Sequence, residues 1–236
     1  MTLPFFYTKE LQYDPAVIIL DEDTSRHIVQ VLRMQEGEQL NLTDGKGMLV
    51  TAAITEAHKK KCTVKKISSI AEEPPAKKIS IAISLIKNSS RFEWFLEKAT
   101  ELGIQEIIPL ICQRTEKHHF RLERMQHILV SAMLQSQQCR LPELSEPVKF
   151  DHFIASDLNA GKFIAHCTEH DSKQQLSNKL LNRETNKLIL IGPEGDFTTD
   201  EIQLALKNNF IPVALGNTRL RTETAGIAAA VLLCNL

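Results

Sequence analysis

The chain has 236 residues, of which 43% are apolar and 24% charged, and its formal net charge is −1. That length admits one large domain or two modest ones with a conventional core. The balanced charge carries no global mark of a nucleic-acid binder, and no apolar run approaches the roughly 20 residues of a membrane-spanning helix.

The amino terminus, Met1-Thr2-Leu3-Pro4-Phe5-Phe6-Tyr7, lacks the basic lead and apolar segment of a secretory signal, so a cytoplasmic protein is expected. A helix is predicted between Asp21 and Gln35, with Ile28, Val31, Leu32 and Gln35 on one side. Leu40 to Thr43 and Met48 to Ile54 read as strands around Asp44-Gly45-Lys46-Gly47, a strong hairpin signal. Residues 58–66 hold five lysines and no acid before a further strand, Cys62 to Ile70. The run Ala71-Glu72-Glu73-Pro74-Pro75-Ala76-Lys77-Lys78 can neither continue a helix nor sit inside a sheet, and it marks the best domain boundary. A compact β-rich domain of about seventy residues is expected before it.

Beyond the prolines, strands and helices alternate. Ile79 to Ile86 reads as a strand, and Ser90-x-x-Glu93 as a capping box opening a helix through Phe92, Phe95, Leu96, Ala99 and Leu102, ended by Gly103. Then follow a strand (Ile107 to Ile111), a basic cluster (Arg114 to Arg121), a helix (Leu122 to Gln138) and strands at Phe163 to Cys167 and Leu188 to Ile191. Thr198-x-x-Glu201 is a second capping box for a helix to about Asn208, Val213 to Leu215 a last strand, and Thr222 to Leu233 a last helix. Apolar runs without clean alternation suit a parallel sheet covered on both faces. For each basic cluster a solvated face competes with a binding face.

Cys62, Cys112, Cys139, Cys167 and Cys234 are scattered without C-x-x-C spacing, against a disulfide framework and a structural zinc site. Cys112 and Cys167 end apolar runs and read as small buried residues.

Two glycine-bearing loops close apolar runs: Ile191-Gly192-Pro193-Glu194-Gly195-Asp196-Phe197, and Leu215-Gly216-Asn217-Thr218-Arg219-Leu220-Arg221-Thr222-Glu223-Thr224-Ala225-Gly226. Such loops at the carboxyl ends of neighbouring strands can grip a small cofactor with bare backbone. Thr222 or Thr224 can cap the last helix, leaving Arg221 and Glu223 at its mouth. Neither G-x-G-x-x-G nor G-x-x-x-x-G-K-[ST] occurs, so dinucleotide-binding and P-loop readings drop out.

These two loops together closely resemble the RsmE-type family of the SPOUT superfamily, which methylates a uridine at N3 in small-subunit ribosomal RNA. The likeness extends to His27-Ile28-Val29-Gln30-Val31-Leu32-Arg33, Asp44-Gly45, the segment from Arg91 to Gly103, and Gln135-Ser136 with Leu141-Pro142-Glu143. It departs at Gln30 and Gln138, where the family often carries a basic residue.

The resemblance implies a PUA-like RNA-binding domain over residues 1–72 and a SPOUT methyltransferase domain over 73–236. The latter would be a parallel sheet whose last segment forms a deep trefoil knot. It implies S-adenosylmethionine bound by His166, Ile191, Gly192, Pro193, Glu194, Gly195, Leu215, Gly216, Asn217, Leu220, Arg221, Thr222, Thr224 and Ala225. A homodimer acting on ribosomal RNA is implied, with no membrane and no metal. Arg221 is the expected catalytic cation, and Glu223 either orients it or accepts the proton. Arg33, Lys46, Lys59, Lys60, Lys61, Lys87, Arg91 and Arg140 are the expected RNA contacts; Trp94, off the apolar stripe, serves either interface packing or base stacking. Two alternatives stay open: another SPOUT enzyme acting on a ribose or on transfer RNA, and a non-catalytic RNA-binding assembly factor. Intact loop glycines speak against the second.

Overall fold

The computed structural model describes residues 3–13, 16–156, 159–167, 174–179 and 186–235. The chain divides into two units, Met1–Pro74 with Met133–Leu141, and Pro75–Ala132 with Pro142–Leu236.

The first unit carries a five-stranded sheet, a 3-10 turn (Lys9–Tyr13) and a short α-helix: β1 (Phe5–Tyr7), β2 (Val17–Ile19), α1 (Glu22–Arg26), β3 (Gln39–Thr43), β4 (Met48–Glu56) and β5 (Thr63–Ala71). The order is β1-β3-β4-β5-β2, with β1 parallel to β3 and every other pair antiparallel. The predicted hairpin is present, and Gly45 and Gly47 take φ of 71° and 102°, a region closed to most side chains. Residues 133–141 join this unit through that turn. Cys139 O accepts from Gly47 N at 2.8 Å, and Gly45 O accepts from Leu141 N at 2.8 Å. Ile18, Leu20, Ile28, Leu40, Leu42, Val50, Ala52, Ile54 and Val64 form the core.

The single helix predicted from Asp21 to Gln35 is instead two pieces. Asp21 caps α1, accepting from Thr24 N, and His27–Val31 continues as one π-helical turn before Arg33, at φ 56°, ends it. Residues 21–27 are polar throughout, so the apolar stripe begins only at Ile28 and is too short to bury a long helix.

The second unit alternates strands and helices except at the short β8–β9 and β10–β11 pairs: β6 (Ile79–Ser84), α2 (Ser89–Glu101), β7 (Glu106–Ile111), α3 (Leu122–Gln135), β8 (Glu143–Leu144), β9 (Val148–Lys149), α4 (Phe150–Ile154), β10 (Gly161–Ala165), β11 (Gln174–Gln175), α5 (Leu176–Lys179), β12 (Lys187–Ile191), α6 (Thr199–Lys207), β13 (Ile211–Ala214) and α7 (Thr222–Asn235). The sheet runs β11-β13-β10-β12-β6-β7-β8, with β9 also on β7, and every pair is parallel. The central strands β6 and β12 are buried at every residue, the polar Ser80, Ser84 and Lys187 included, as suits a parallel sheet covered on both faces. Ala82, Leu188 and Leu190 face a cluster with Phe150 and Ile154 of α4 and Ile202 and Ala205 of α6. On the other face Phe95 of α2, Ile83 and Gly226 of α7 meet.

The Ser90–Glu93 capping box is not formed. Asn88 caps α2, its Oδ1 accepting from Ser90 N at 3.0 Å, and Glu93 instead takes two hydrogen bonds from Arg124. The Thr198–Glu201 box is formed as predicted, and Gly103 follows α2 at φ 83°. The third predicted helix stops at Gln135, since Gln137 turns to φ 59°. β10 lies two residues earlier than expected, so that His166 and Cys167 fall beyond its end.

Candidate active site

The site is built wholly from the second unit, where β13, β10 and β12 lie side by side and release their chains in the same direction. Three loops at those carboxyl ends enclose a cavity of about 530 Å³, within the usual range of ligand pockets. Its walls are Ala165 to Cys167 after β10, Ile191 to Glu194 with Asp196 after β12, and Val213 to Arg221 after β13, closed by Thr222 and Ala225 of α7.

The β12 loop is a tight turn, Asp196 N donating to Pro193 O at 2.9 Å. A Cβ on Gly192 would stand 3.1–3.2 Å from the Phe197 ring and main chain, so a side chain there would push the loop open. Asp196 sits at φ 64°, and its carboxylate accepts from Cys167 N at 2.8 Å and from Phe197 N at 2.9 Å. The β12 loop is thereby pinned to the end of β10. Glu194 Oε1 accepts from Lys87 N at 3.0 Å. The β13 loop differs in kind. Gly216 takes φ 149°, and a Cβ there would meet nothing within 4 Å. Residues 216–219 are exposed, with Asn217 Oδ1 accepting from Gln175 Nε2 at 3.2 Å. The two loops are tied where α7 begins: the buried Thr222 hydroxyl donates to Gly192 O at 3.0 Å.

Of the residues expected at a cofactor, His166, Ile191, Gly192, Pro193, Glu194, Leu215, Gly216, Asn217, Leu220, Arg221, Thr222 and Ala225 line this one cavity. Gly195 and Thr224 do not; Gly195 lies against the Arg114 side chain, and Thr224 is exposed on α7. Sequence reasoning missed Asp196, Thr218 and Arg219 as lining residues, although all three stand inside the quoted loops. It also misjudged Cys167. That thiol is exposed at the cavity wall rather than buried, because the strand ends two residues before it. Cys112 is buried as expected, and burial pushes its thiol up to about 12. All five cysteines are free.

Arg221 and Glu223, one helical position apart from Thr222, face different surroundings. Arg221 is exposed and lines the cavity. Glu223 is buried, does not line it, and places Oε1 3.6 Å from Arg91 Nε of α2. Among the expected RNA contacts, Arg33, Lys46, Lys59, Lys60 and Lys61 are exposed on the first unit. Arg140, in the same unit, has its guanidinium committed to main chain, donating to Lys46 O at 2.9 Å and to Glu72 O. Lys87 pairs with Glu116 at 2.6 Å, and Arg91 is half-buried beside Glu223. Trp94 is exposed on α2. No group of three or more His, Cys, Asp or Glu side chains among the described residues could hold a metal, and no described helix is long and apolar enough to cross a membrane.

The cavity suits a small ligand with an apolar ring and polar edges. Ile191, Val213, Leu215, Leu220 and Ala225 supply apolar wall, Gly216 leaves space that a Cβ would enter, and Glu194 and Asp196 add carboxylates suited to a cationic group.

Comparison with known proteins agrees with this geometry. Residues 72–234 match the RNA methyltransferase domain family, and residues 20–67 the RNA methyltransferase PUA domain. A ribosomal RNA small subunit methyltransferase E of Synechocystis is 31% identical over 219 residues, spanning 91% of this chain and 71% of the relative. A probable rRNA-methyltransferase of Porphyromonas gingivalis superposes with a TM-score of 0.88 at 35% identity, covering 99% of this chain and all of that one. A ribosomal RNA small subunit methyltransferase E of Neisseria gonorrhoeae, solved bound to S-adenosyl methionine, gives a TM-score of 0.84 at 29% identity over 97% of this chain and 95% of that one. The chain therefore belongs to the RNA methyltransferase family, among the ribosomal RNA small subunit methyltransferases E.

Proposed function

We propose that this protein transfers the methyl group of S-adenosylmethionine to N3 of a uridine in 16S ribosomal RNA. The observation that carries the reading is the joining of two glycine loops around one cavity, with an exposed arginine at its rim. S-adenosylmethionine supplies an electrophilic methyl carbon on a sulfonium.

The chain's own residues have two tasks. The first is positioning: the β12 loop is held on three sides, so the cavity wall needs little rearrangement when a ligand arrives. The second is charge stabilisation. Uridine N3 carries a proton at neutral pH, and its loss spreads negative charge onto O2 and O4. Arg221 is the fixed cation for that charge, worth most where water is excluded. Glu223, paired with Arg91 rather than opening to the cavity, holds that second arginine at the base of α7. The target base must leave its stack to reach the site.

Residues 1–72 are assigned to RNA binding through Lys59, Lys60, Lys61, Lys46 and Arg33, and residues 73–236 to catalysis. The return of the chain from β13 to α7, which packs on β12, β6 and α2, is the segment assigned to the trefoil knot. A cytoplasmic homodimer is the expected working form. Mass mapping of 16S ribosomal RNA from cells lacking the gene tests the reading: one uridine should lose a methyl group at N3. An unchanged methylation map overturns it, and loss of a ribose methyl would assign the other SPOUT chemistry.

A further inference from the structure

The β12 loop is also held from outside the cavity, by a residue that the proposed mechanism does not use. Arg114 follows β7 in the turn 112–115, and buried polar groups fix that turn. Thr115 is 6% exposed; its Oγ1 accepts from Cys112 N at 2.8 Å and lies 2.9 Å from Ser84 Oγ at the end of β6. The Gln113 N–H donates to Glu201 Oε1 at 2.8 Å, and Glu201 is the buried capping-box carboxylate of α6. Position 114 is thus bracketed on both sides by main chain tied to the core. From there Arg114 Nη1 donates to Gly195 O at 2.6 Å, while its stem covers Gly195: a Cβ on that glycine would stand 3.2 Å from Arg114 Cδ.

We propose that Arg114 is a positioning residue for the methyl-donor cavity, clamping the Gly192–Asp196 loop through the Gly195 carbonyl. The inference rests on the reading of this cavity as the S-adenosylmethionine site. Holding that carbonyl fixes the peptide between Gly195 and Asp196. Asp196, at φ 64°, occupies the left-handed region, uncommon for a residue with a side chain, and the fixed peptide before it helps to hold it there. Its carboxylate, in turn, holds Cys167 N on the neighbouring wall. Arg114 therefore acts on two cavity walls without touching a ligand. Arginine suits the place because an apolar stem must lie flat on Gly195 while a charged N–H turns to the carbonyl.

The test compares Arg114→Ala and Arg114→Lys with the wild-type full chain. S-adenosylmethionine affinity is measured by calorimetry, kcat and KM by methyl transfer to 16S ribosomal RNA, RNA affinity by anisotropy, and folding by thermal melting. Arg114→Ala should raise Kd and KM for S-adenosylmethionine about tenfold, with kcat at saturation and RNA affinity within about twofold and an unchanged melting temperature. Arg114→Lys should recover part of the loss. Wild-type cofactor affinity in Arg114→Ala overturns the proposal, as does weakened RNA binding with intact cofactor affinity, which makes Arg114 an RNA contact. If Arg114→Ala melts early, equal loss of kcat and affinity in the stably folded lysine variant also overturns it. Absence of cofactor binding by the wild-type chain is a separate result and overturns the reading of the cavity itself.

Discussion

The two loops of the cavity resemble each other in sequence, glycine-bearing turns after apolar strands, yet the structure treats them oppositely. The β12 loop is tied at nearly every residue: Thr222 holds Gly192, Lys87 N meets Glu194, Arg114 meets Gly195, and Asp196 takes two main-chain donors. The β13 loop is exposed from Gly216 to Arg219 and carries both cations, Arg219 and Arg221. One loop is scaffold and the other is chemistry. Substitutions in the first should trade stability against affinity, whereas those in the second should change rate or affinity and leave the fold alone.

The largest expected effect tests the second half of that contrast. Arg221→Ala should lower the single-turnover methylation rate by about 100-fold or more, the scale for removing a group that stabilises developing charge. Its melting temperature and cofactor affinity should stay near wild type; equal loss of affinity would move Arg221 to the scaffold side. Next, Gly226→Val probes what stands behind both loops. A Cβ at Gly226 would sit 2.6 Å and 2.8 Å from atoms of the Phe95 ring and 3.0 Å from Ile83 Cδ1. Denaturant unfolding should show a loss of about 1–3 kcal/mol from overpacking.

Gly216→Ala should separate strain from space. The added methyl meets nothing within 4 Å, but φ 149° is close to glycine-only territory, at a cost of about 1–3 kcal/mol if the loop keeps its path. Calorimetry should therefore record weaker S-adenosylmethionine binding with little change in melting, because an exposed loop can relax. Thr222→Val removes a hydroxyl that joins the loops. A loss of about 1 kcal/mol in unfolding free energy is expected, with a matching drop in affinity. Smallest in energy is a labelling contrast. Cys167 should react with maleimide first and be protected by S-adenosylmethionine, while Cys112, pushed up to about 12 and buried, stays unlabelled in the folded chain.

Much of the scaffold was legible because it is local. Leu188 to Ile191 is a continuous apolar run whose register can only suit a strand buried on both faces, and Thr198 with Glu201 closes its box within four residues. The loop glycines announced the cavity. What stayed hidden is what depends on distant partners. Arg114 reads only as part of a basic cluster, solvated or binding, until β6, β7 and β12 lie side by side, bringing it onto Gly195 from 81 positions away. Glu223 and Arg221 look alike at a helix mouth. The turn of α7 sends one to the cavity and the other to Arg91, and no spacing rule reveals which. Asn88 displaced the Ser90 box because a better cap stood two residues earlier. The short β1 and β2 carried too few residues for any period to show.

The central claim is that the two loops together hold the methyl donor, and calorimetric titration of S-adenosylmethionine into the wild-type chain and a Gly192→Val, Gly216→Val double variant tests it most directly. The account predicts one site per chain in the wild type and no measurable heat in a double variant whose circular dichroism is native. Undiminished binding by that folded double variant would contradict it.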